Sequence, residues 1–419
     1  MANWKRNIAF FITGQTISLI GSLFVQYAIT WYITLNTQSG IMMTISILCG
    51  FVPGLILAPF AGVWADRFNR KHLIIIADAF IAILTIITAI IFAFGFREIW
   101  LLFVVSVFRS LGQAVHQPSV GAVYPQMVPQ DKLMRVQGIS SGIQSAMMVI
   151  APIIGASLLT FTSLEVIFSI DFFTAALAIL SLLFLVKIPA KETVQSLDKI
   201  DYLEDMKMGV KYIKSHHFLI PFFTYIGLVM FFVAPAAFLT PLQVVRNFGE
   251  EVWRLSAIEI GFSAGMTVGG LIVGIWGGFK NRIVTMVFSL AFMGLSTMLF
   301  GIVGSFWVYI AVLVFMGLSL PFYNTPGIVL IQEKVEPEYM GRVLSVLGMI
   351  NGAAMPLGML VFGPLADFVD IEWLMIISGL VMLLLGLSIL MNRGLVKAGE
   401  PKKASSKTIP LDNVVLTTE

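Results

Sequence analysis

Twelve apolar runs, each long enough to cross a bilayer as a helix, dominate this chain. They fall at about 8–33, 41–61, 73–96, 99–124, 134–162 and 166–188, then at 218–245, 255–279, 282–304, 306–331, 340–368 and 372–393. In lipid every backbone N–H and C=O has to be satisfied within the protein, and runs of this length do so as α-helices. Hydrophobic residues make up 58% of the 419 and charged residues only 12%. A soluble domain carries about 25% charged residues, so a water-soluble fold could not cover such a core. The fold class expected is an all-α polytopic membrane protein.

Several function classes fall away on the same ground. A net charge of +3, spread along the chain, gives no footprint for nucleic acid. The single cysteine, Cys49, cannot form a disulfide framework or a thiolate metal cage within one chain. No Walker A loop, HExxH or Cys-x-x-Cys is present, so no cofactor or metal is expected and ATP-driven pumping has no support. Gly138-Ile139-Ser140-Ser141-Gly142 matches the nucleophile-elbow pattern, yet it lies inside a span with no preceding strand. An enzyme is not expected. The opening Met1-Ala2-Asn3-Trp4-Lys5-Arg6 runs into a full-length span without a small-residue cleavage site and is read as a retained first helix.

The runs divide six and six. Residues 1–188 form a first six-helix bundle, 189–217 a polar linker, 218–393 a second bundle and 394–419 a flexible tail. Of the 26 lysines and arginines, 22 fall on the face that carries both termini, and only Arg97, Arg246 and Arg254 on the other. The positive-inside rule then puts both termini in the cytoplasm of a cell-membrane protein. In the linker Ile200, Leu203, Met206, Val210 and Ile213 recur at helical spacing, which suits either an amphipathic helix on the membrane face or a solvated linker helix.

The halves share traces of a repeat. Gly62, Trp64, Asn69 and Arg70 recur in register as Gly274, Trp276, Asn281 and Arg282, and Arg135-Val136 recurs as Arg342-Val343. Two six-helix bundles related by a pseudo-two-fold axis are the arrangement of a secondary transporter, with its pathway between the repeats.

The loop after the second run carries the strongest motif. Gly62 permits close helix approach, Asp66 can pair with a cation or a helix N-terminus, and Arg67, Arg70 and Lys71 hold the loop at the basic face. Here the sequence resembles the major facilitator superfamily, with Asn69 where its signature has a second glycine. Arg109 matches that superfamily's span-4 arginine, and Ala151-Pro152-Ile153-Ile154-Gly155-Ala156 its span-5 antiporter pattern without the leading glycine. Asn3-Trp4-Lys5-Arg6, Gly14-Gln15, Gly317-Leu318-Ser319-Leu320-Pro321-Phe322-Tyr323 and Gln332-Glu333-Lys334 are similar to the macrolide efflux permeases. The resemblance implies a proton-driven drug or macrolide exporter, with spans 1, 4, 7 and 10 lining a central cavity. It also assigns gating to Gly62, Asp66, Arg67 and Arg70, with Asp66 closing the cytoplasmic face of the outward-open state.

Helical spacing shows which spans face something polar. Gln15, Ser18, Ser22 and Gln26 share a face of span 1; Arg109, Gln113 and His116 do so on span 4. On span 8 Glu259, Ser263 and Thr267 lie opposite Gly261, Gly265 and Gly269, which suit close helix packing. Charged groups inside spans are costly and mark partners or pathways. Glu259, Asp171 and Arg109 are the proton-coupling candidates, and Asp78 is read as a structural partner of the basic loop. Gln15, Gln26, Gln113, His116, Tyr323 and Asn324 are the substrate-binding candidates, with hydrogen bonding and titration both open to His116. The expectation is a monomeric, proton-coupled exporter of lipophilic compounds working by alternating access, with protons, the lipophilic substrate and membrane lipids as its partners. A lipid or metabolite transporter, or a transporter-like receptor without net transport, is the alternative.

Overall fold

The computed structural model describes residues 4–188, 208, 211–336 and 338–400, with Asp66 described by its backbone alone. Twelve helical spans follow the twelve apolar runs to within a few residues. In the first half they are α1 (Trp4–Thr37), α2 (Gly40–Arg67), α3 (Arg70–Ala93), α4 (Ile99–Met127), α5 (Gln130–Phe161) and α6 (Leu164–Leu180), the last closing in a π-turn over Ser181–Leu185. In the second half they are α7 (Leu219–Phe238) with α8 (Thr240–Phe248), α9 (Val252–Trp276), α10 (Arg282–Phe300), α11 (Phe306–Lys334), α12 (Met340–Leu365) and α13 (Ile371–Met391). Helices α7 and α8 form one span broken at Leu239, where Pro241 at the start of α8 has no N–H to continue the ladder.

The two halves pair their helices alike. Helices α2 and α4 pack together as do α9 and α11, and α3 packs on α6 as α10 packs on α13. The repeated Asn-Arg is the local cause at one such point. Asn69 caps α3 by accepting from Lys71 N, and Asn281 caps α10 by accepting from Ile283 N and Val284 N. The following arginine then ties the helix start to a neighbour: Arg70 to the Ala122 carbonyl on α4, and Arg282 to Glu333 on α11 at 3.1 Å.

The glycines of α9 do pack. A Cβ on Gly265 or Gly269 would lie 2.1 or 2.2 Å from the Val314 or Leu318 carbonyl of α11, so only hydrogen fits there. Gly62 does not behave as expected. Its missing Cβ would meet no atom within 4 Å, although Ala61 and Ala65 on the other faces of the same turns are buried.

Two expectations about the polar segments change. The tail does not lose structure at once: Arg393–Ala398 form a short helix, α14, capped by Asn392 and seated by buried Leu395. It is pinned where Arg282 N donates to Gly399 O and Asn281 Nδ2 to Val396 O. Of the linker, Ile200, Leu203, Met206 and Val210 lie outside the described residues, as do residues 401–419. Residues 211–215 are helical, and there Tyr212 and Ile213 are buried in the core of the second half rather than turned to lipid or water. Tyr212 stacks on Tyr339 with ring centroids 4.3 Å apart.

Candidate functional site

The halves touch through three helix pairs: α2 with α12, α5 with α9, and α1 with α8. All the named contacts lie toward the face opposite the termini. Gly40 packs on the Gly363 carbonyl, Thr44 Oγ1 lies 3.3 Å from Met359 O, and Ser256 Oγ donates to Pro152 O at 3.0 Å. Trp31, Met43 and Ala156 of the first half enter the core of the second.

A polar latch closes the same end. Asp367, in the turn after α12, accepts from Gly40 N and Ser39 Oγ at 2.7 Å and from Ile41 N at 3.0 Å, capping α2 of the opposite half. Arg246 of α8 pairs with Asp367 at 3.0 Å and donates to the carbonyls of Gln38 and Ala366. Gln38 Nε2 in turn donates to Glu250 at 2.6 Å. Burial opposes ionisation of Asp367, but the hydrogen bonds from Ile41, Ser39, Gly40 and Arg246 outweigh it and hold its carboxyl below the usual value.

At the basic face the halves stand apart. Along the first half of α5, Gln137, Gly138, Ser141, Gly142, Gln144 and Ser145 are exposed, and on α12 so are Gly341, Ser345, Gly348 and Asn351. A Cβ on Gly138, Gly142, Gly341 or Gly348 would meet nothing within 4 Å. Polar and glycine surface of this kind suits a water-filled space between the halves, open at the face that carries the termini. The structure is closed at one end and open at the other. Gly138-Ile139-Ser140-Ser141-Gly142 runs as unbroken helix here, without the turn a nucleophile elbow needs.

The candidate residues separate into three groups. Arg109 and Asp171 come together as a buried ion pair at 2.5 Å, with Arg109 also donating to Thr85 Oγ1 and to Ser22 O. The second Asp171 oxygen takes the Ser22 hydroxyl at 3.3 Å, which leaves that carboxylate fully partnered and 1% exposed. Glu259 lies away from this pair, on α9, within electrostatic range of Tyr27 of α1. Among the described residues its carboxylate makes no hydrogen bond or ion pair. Asp78 is the third case and corrects the reading from sequence: it pairs not with the basic loop but with Ser18 and His116, both at 3.3 Å.

Of the neutral candidates, Gln26 and Asn324 are exposed, and Gln15, Gln113 and His116 are half-buried along α1 and α4. Tyr323 does not join them, because it points into the core of the second half at 3% exposure. Its helix turns that face toward Phe222 and Met286, which leaves Asn324 as the accessible neighbour. In the loop between α2 and α3 Arg67 is exposed and Arg70 bonds the Ala65 and Ala122 carbonyls; the Asp66 side chain lies outside the described residues. A cleft of about 250 Å³ on the far face, lined by Tyr32, Phe92, Arg97 and Glu165, sits some three helical turns from Tyr32 to Ser22 and further still from His116.

Sequence reasoning missed the latch. Its one signal was available: Arg246 is one of only three basic residues on the far face, set among seven acids that include Asp367.

Known proteins match along most of the chain. The sequence profile of the Major Facilitator Superfamily matches residues 7–283 and again 253–417. The chain is 33% identical to Macrolide efflux protein A of Streptococcus pyogenes over 380 residues, 90% of this chain and 93% of that protein. It is 34% identical to Macrolide efflux protein A of Enterococcus faecalis over 324 residues, 77% of this chain and 99% of that one. Among solved structures, a nucleoside transporter, NupG, superposes with a TM-score of 0.66 at 15% identity, covering 93% of this chain and 99% of that one. A POT family transporter gives 0.68 at 15% identity, covering 92% and 96%.

Proposed function

Since the chain belongs to the Major Facilitator Superfamily, an integral multi-pass membrane transporter family, we propose that it is a proton-coupled exporter of lipophilic compounds such as macrolides. The observation that carries this reading is the identity of about one third to proteins named for macrolide efflux, over nearly the full chain. The geometry supports alternating access: a latch at the far face and a cavity at the basic face make this the state open to the side of the termini. By the positive-inside rule that side is the cytoplasm. Gly62, Asp66, Arg67 and Arg70 then form the counterpart gate, which closes when the latch opens. Substrate is held from Gln15, Gln26, Gln113, His116 and Asn324, with the aromatic and Met surface around them.

Inside-out vesicles under an imposed pH gradient test the function. Accumulation of a macrolide that collapses on adding a protonophore is the expected result. Binding without accumulation would make the protein a receptor, and gradient-independent uptake would remove the proton.

Glu259 is the proton carrier that best fits this cycle at the junction of the halves, because Asp171 is already committed to Arg109. Glu259→Gln is expected to keep macrolide binding while slowing gradient-driven efflux roughly tenfold or more, as for an ionisable group in a membrane pathway. Wild-type pH dependence in that variant would return Glu259 to a structural role.

Orientation has its own check. With Cys49 replaced, cysteines introduced in 189–217 are expected to resist an impermeant thiol reagent in intact cells, and those in 246–254 to react. The reverse pattern overturns the topology.

A further inference from the structure

The first half holds two buried carboxylates in opposite circumstances. Asp171 faces Arg109, whose charge is permanent. Asp78 on α3 is similarly enclosed, at 5% exposure, but among the described residues the one group paired with it that can carry positive charge is a histidine, His116 of α4, with Nε2 3.3 Å from Asp78 Oδ1. We propose that Asp78 and His116, with Ser18 and Gln15 beside them, form a proton-binding site that couples transport, separate from Glu259. The proposal rests on the reading of transport as proton-driven.

The neighbours of Asp78 leave it no fixed counter-charge. From α1 come Ser18, which donates to Oδ1, and Gln15 one turn away; neither titrates. Arg109, two turns along α4 from His116, is committed to Asp171 of α6. Lys71 at the start of α3 donates to the Leu183 and Val186 carbonyls at the end of α6. Tyr124, lower on α4, bonds Ser140 of α5. The charge on Asp78 is therefore balanced by a proton or not at all.

Two polar atoms of the pair show that its bonding is incomplete. Asp78 Oδ2 and His116 Nε2 are shut off from solvent without a hydrogen-bond partner, as is Gln15 Oε1 one turn from Ser18 along α1. Buried polar atoms without partners are rare because each carries its full desolvation cost. With one proton bound, an imidazolium faces a carboxylate, or a neutral acid faces a neutral imidazole. With none bound, a bare carboxylate stays enclosed among α1, α3 and α4. Loss of the proton thus penalises this packing, and that is how a proton can bias a rearrangement of helices. The step is simple in its balance: an N–H or O–H bond forms with a proton from water and breaks when water takes it back. His116 keeps 15% of its side chain exposed against 6% for Asp78, so the imidazole is the way in.

The test uses full-length protein in proteoliposomes with radiolabelled erythromycin, comparing gradient-driven accumulation with counterflow exchange at equal pH. For Asp78→Asn we expect accumulation to fall roughly tenfold or more and exchange to stay within about twofold of wild type, and for His116→Gln we expect the same fall in accumulation. Accumulation near wild type in both variants overturns the proposal, and so does parallel loss of accumulation and exchange in Asp78→Asn, which marks a structural role. A second readout needs no substrate. On acidification in weak buffer, purified Asp78→Asn should take up fewer protons than wild type. Equal uptake overturns the site, and dependence of wild-type accumulation on sodium in place of choline overturns the proton as its ligand. If wild-type accumulation ignores the pH gradient while the Asp78-dependent uptake persists, the proton-driven reading of the transporter fails and the proton-binding site stands.

Discussion

Arg109→Ala is expected to be the most damaging single substitution in the first half. It leaves the Asp171 carboxyl enclosed at 1% exposure with only the Ser22 hydroxyl to hold it, and breaking a buried ion pair from one side costs about 3–5 kcal/mol. It also deprives Thr85 Oγ1 and the Ser22 carbonyl of their donor, and so loosens α4 from α3 and α1 together. The expected outcome is a steep loss of monodisperse protein in detergent and of any efflux. Arg109→Lys restores a charge but not the fork that reaches three acceptors on three helices, so partial recovery of folding is expected. Stability and function separate in the double variant Arg109→Met with Asp171→Leu, since a buried pair replaced by apolar groups of similar size often folds as well. A folded double variant without transport gives the pair a part in coupling. If Arg109→Ala folds and exports like wild type, the pair is dispensable and this account of the first half is wrong.

Much of this architecture could be read from the residues because lipid leaves few alternatives. The spans are long, apolar and separated by charge, so their ends could be placed to within a few residues, and the repeated Asn-Arg pointed to equivalent helix starts that the caps at Asn69 and Asn281 display. The stripe Gly261, Gly265, Gly269 announced a packing face and found α11. What could not be read was pairing across long separations. Asp78 lies on the face of α3 turned toward α4 and α1, and periodicity within α3 cannot say that His116 is opposite. Tyr323 and Asn324 are adjacent, and which of them faces the cavity depends on how α11 rotates against α7 and α10. The short α14 was invisible because its stability comes from docking on Asn281 and Arg282, not from its own composition. Gly62 is a different case. In the proposed cycle its role belongs to the opposite conformational state, and a sequence describes both states at once.

In the proposed alternating-access cycle the far-face latch is the most direct way to move the equilibrium. Asp367 supplies an anion to the N-terminus of α2, where Gly40 N and Ile41 N have no partner within their own helix, and it does so from the other half of the molecule. These bonds exist only while the halves are closed at that end. Asp367→Asn keeps the shape but removes the charge from the Arg246 pair and weakens the bonds to Gly40 and Ile41. Charge-assisted hydrogen bonds are worth about 1.5–3 kcal/mol each, so a net loss of about 2 kcal/mol is a reasonable scale, a ~30-fold shift toward the outward-open state. A cysteine introduced by Gln26→Cys, in a background without Cys49, reports it, because Gln26 is exposed on α1 in the space between the halves. Labelling from outside by an impermeant reagent should speed up in Asp367→Asn, and also, to a smaller degree, in Arg246→Gln. The pH dependence follows from the lowered carboxyl of Asp367. A folded value below the ordinary one means its stabilisation is complete above about pH 4 and is lost as pH falls through the lowered value. Closure at the far face should therefore be insensitive to pH across the neutral range, and any pH response of transport there must arise elsewhere, at Glu259 or at Asp78 with His116. Unchanged labelling in Asp367→Asn, or a latch that loosens near pH 6 to 7, would show that the halves are held by their apolar contact at Trp31, Met43 and Ala156 instead.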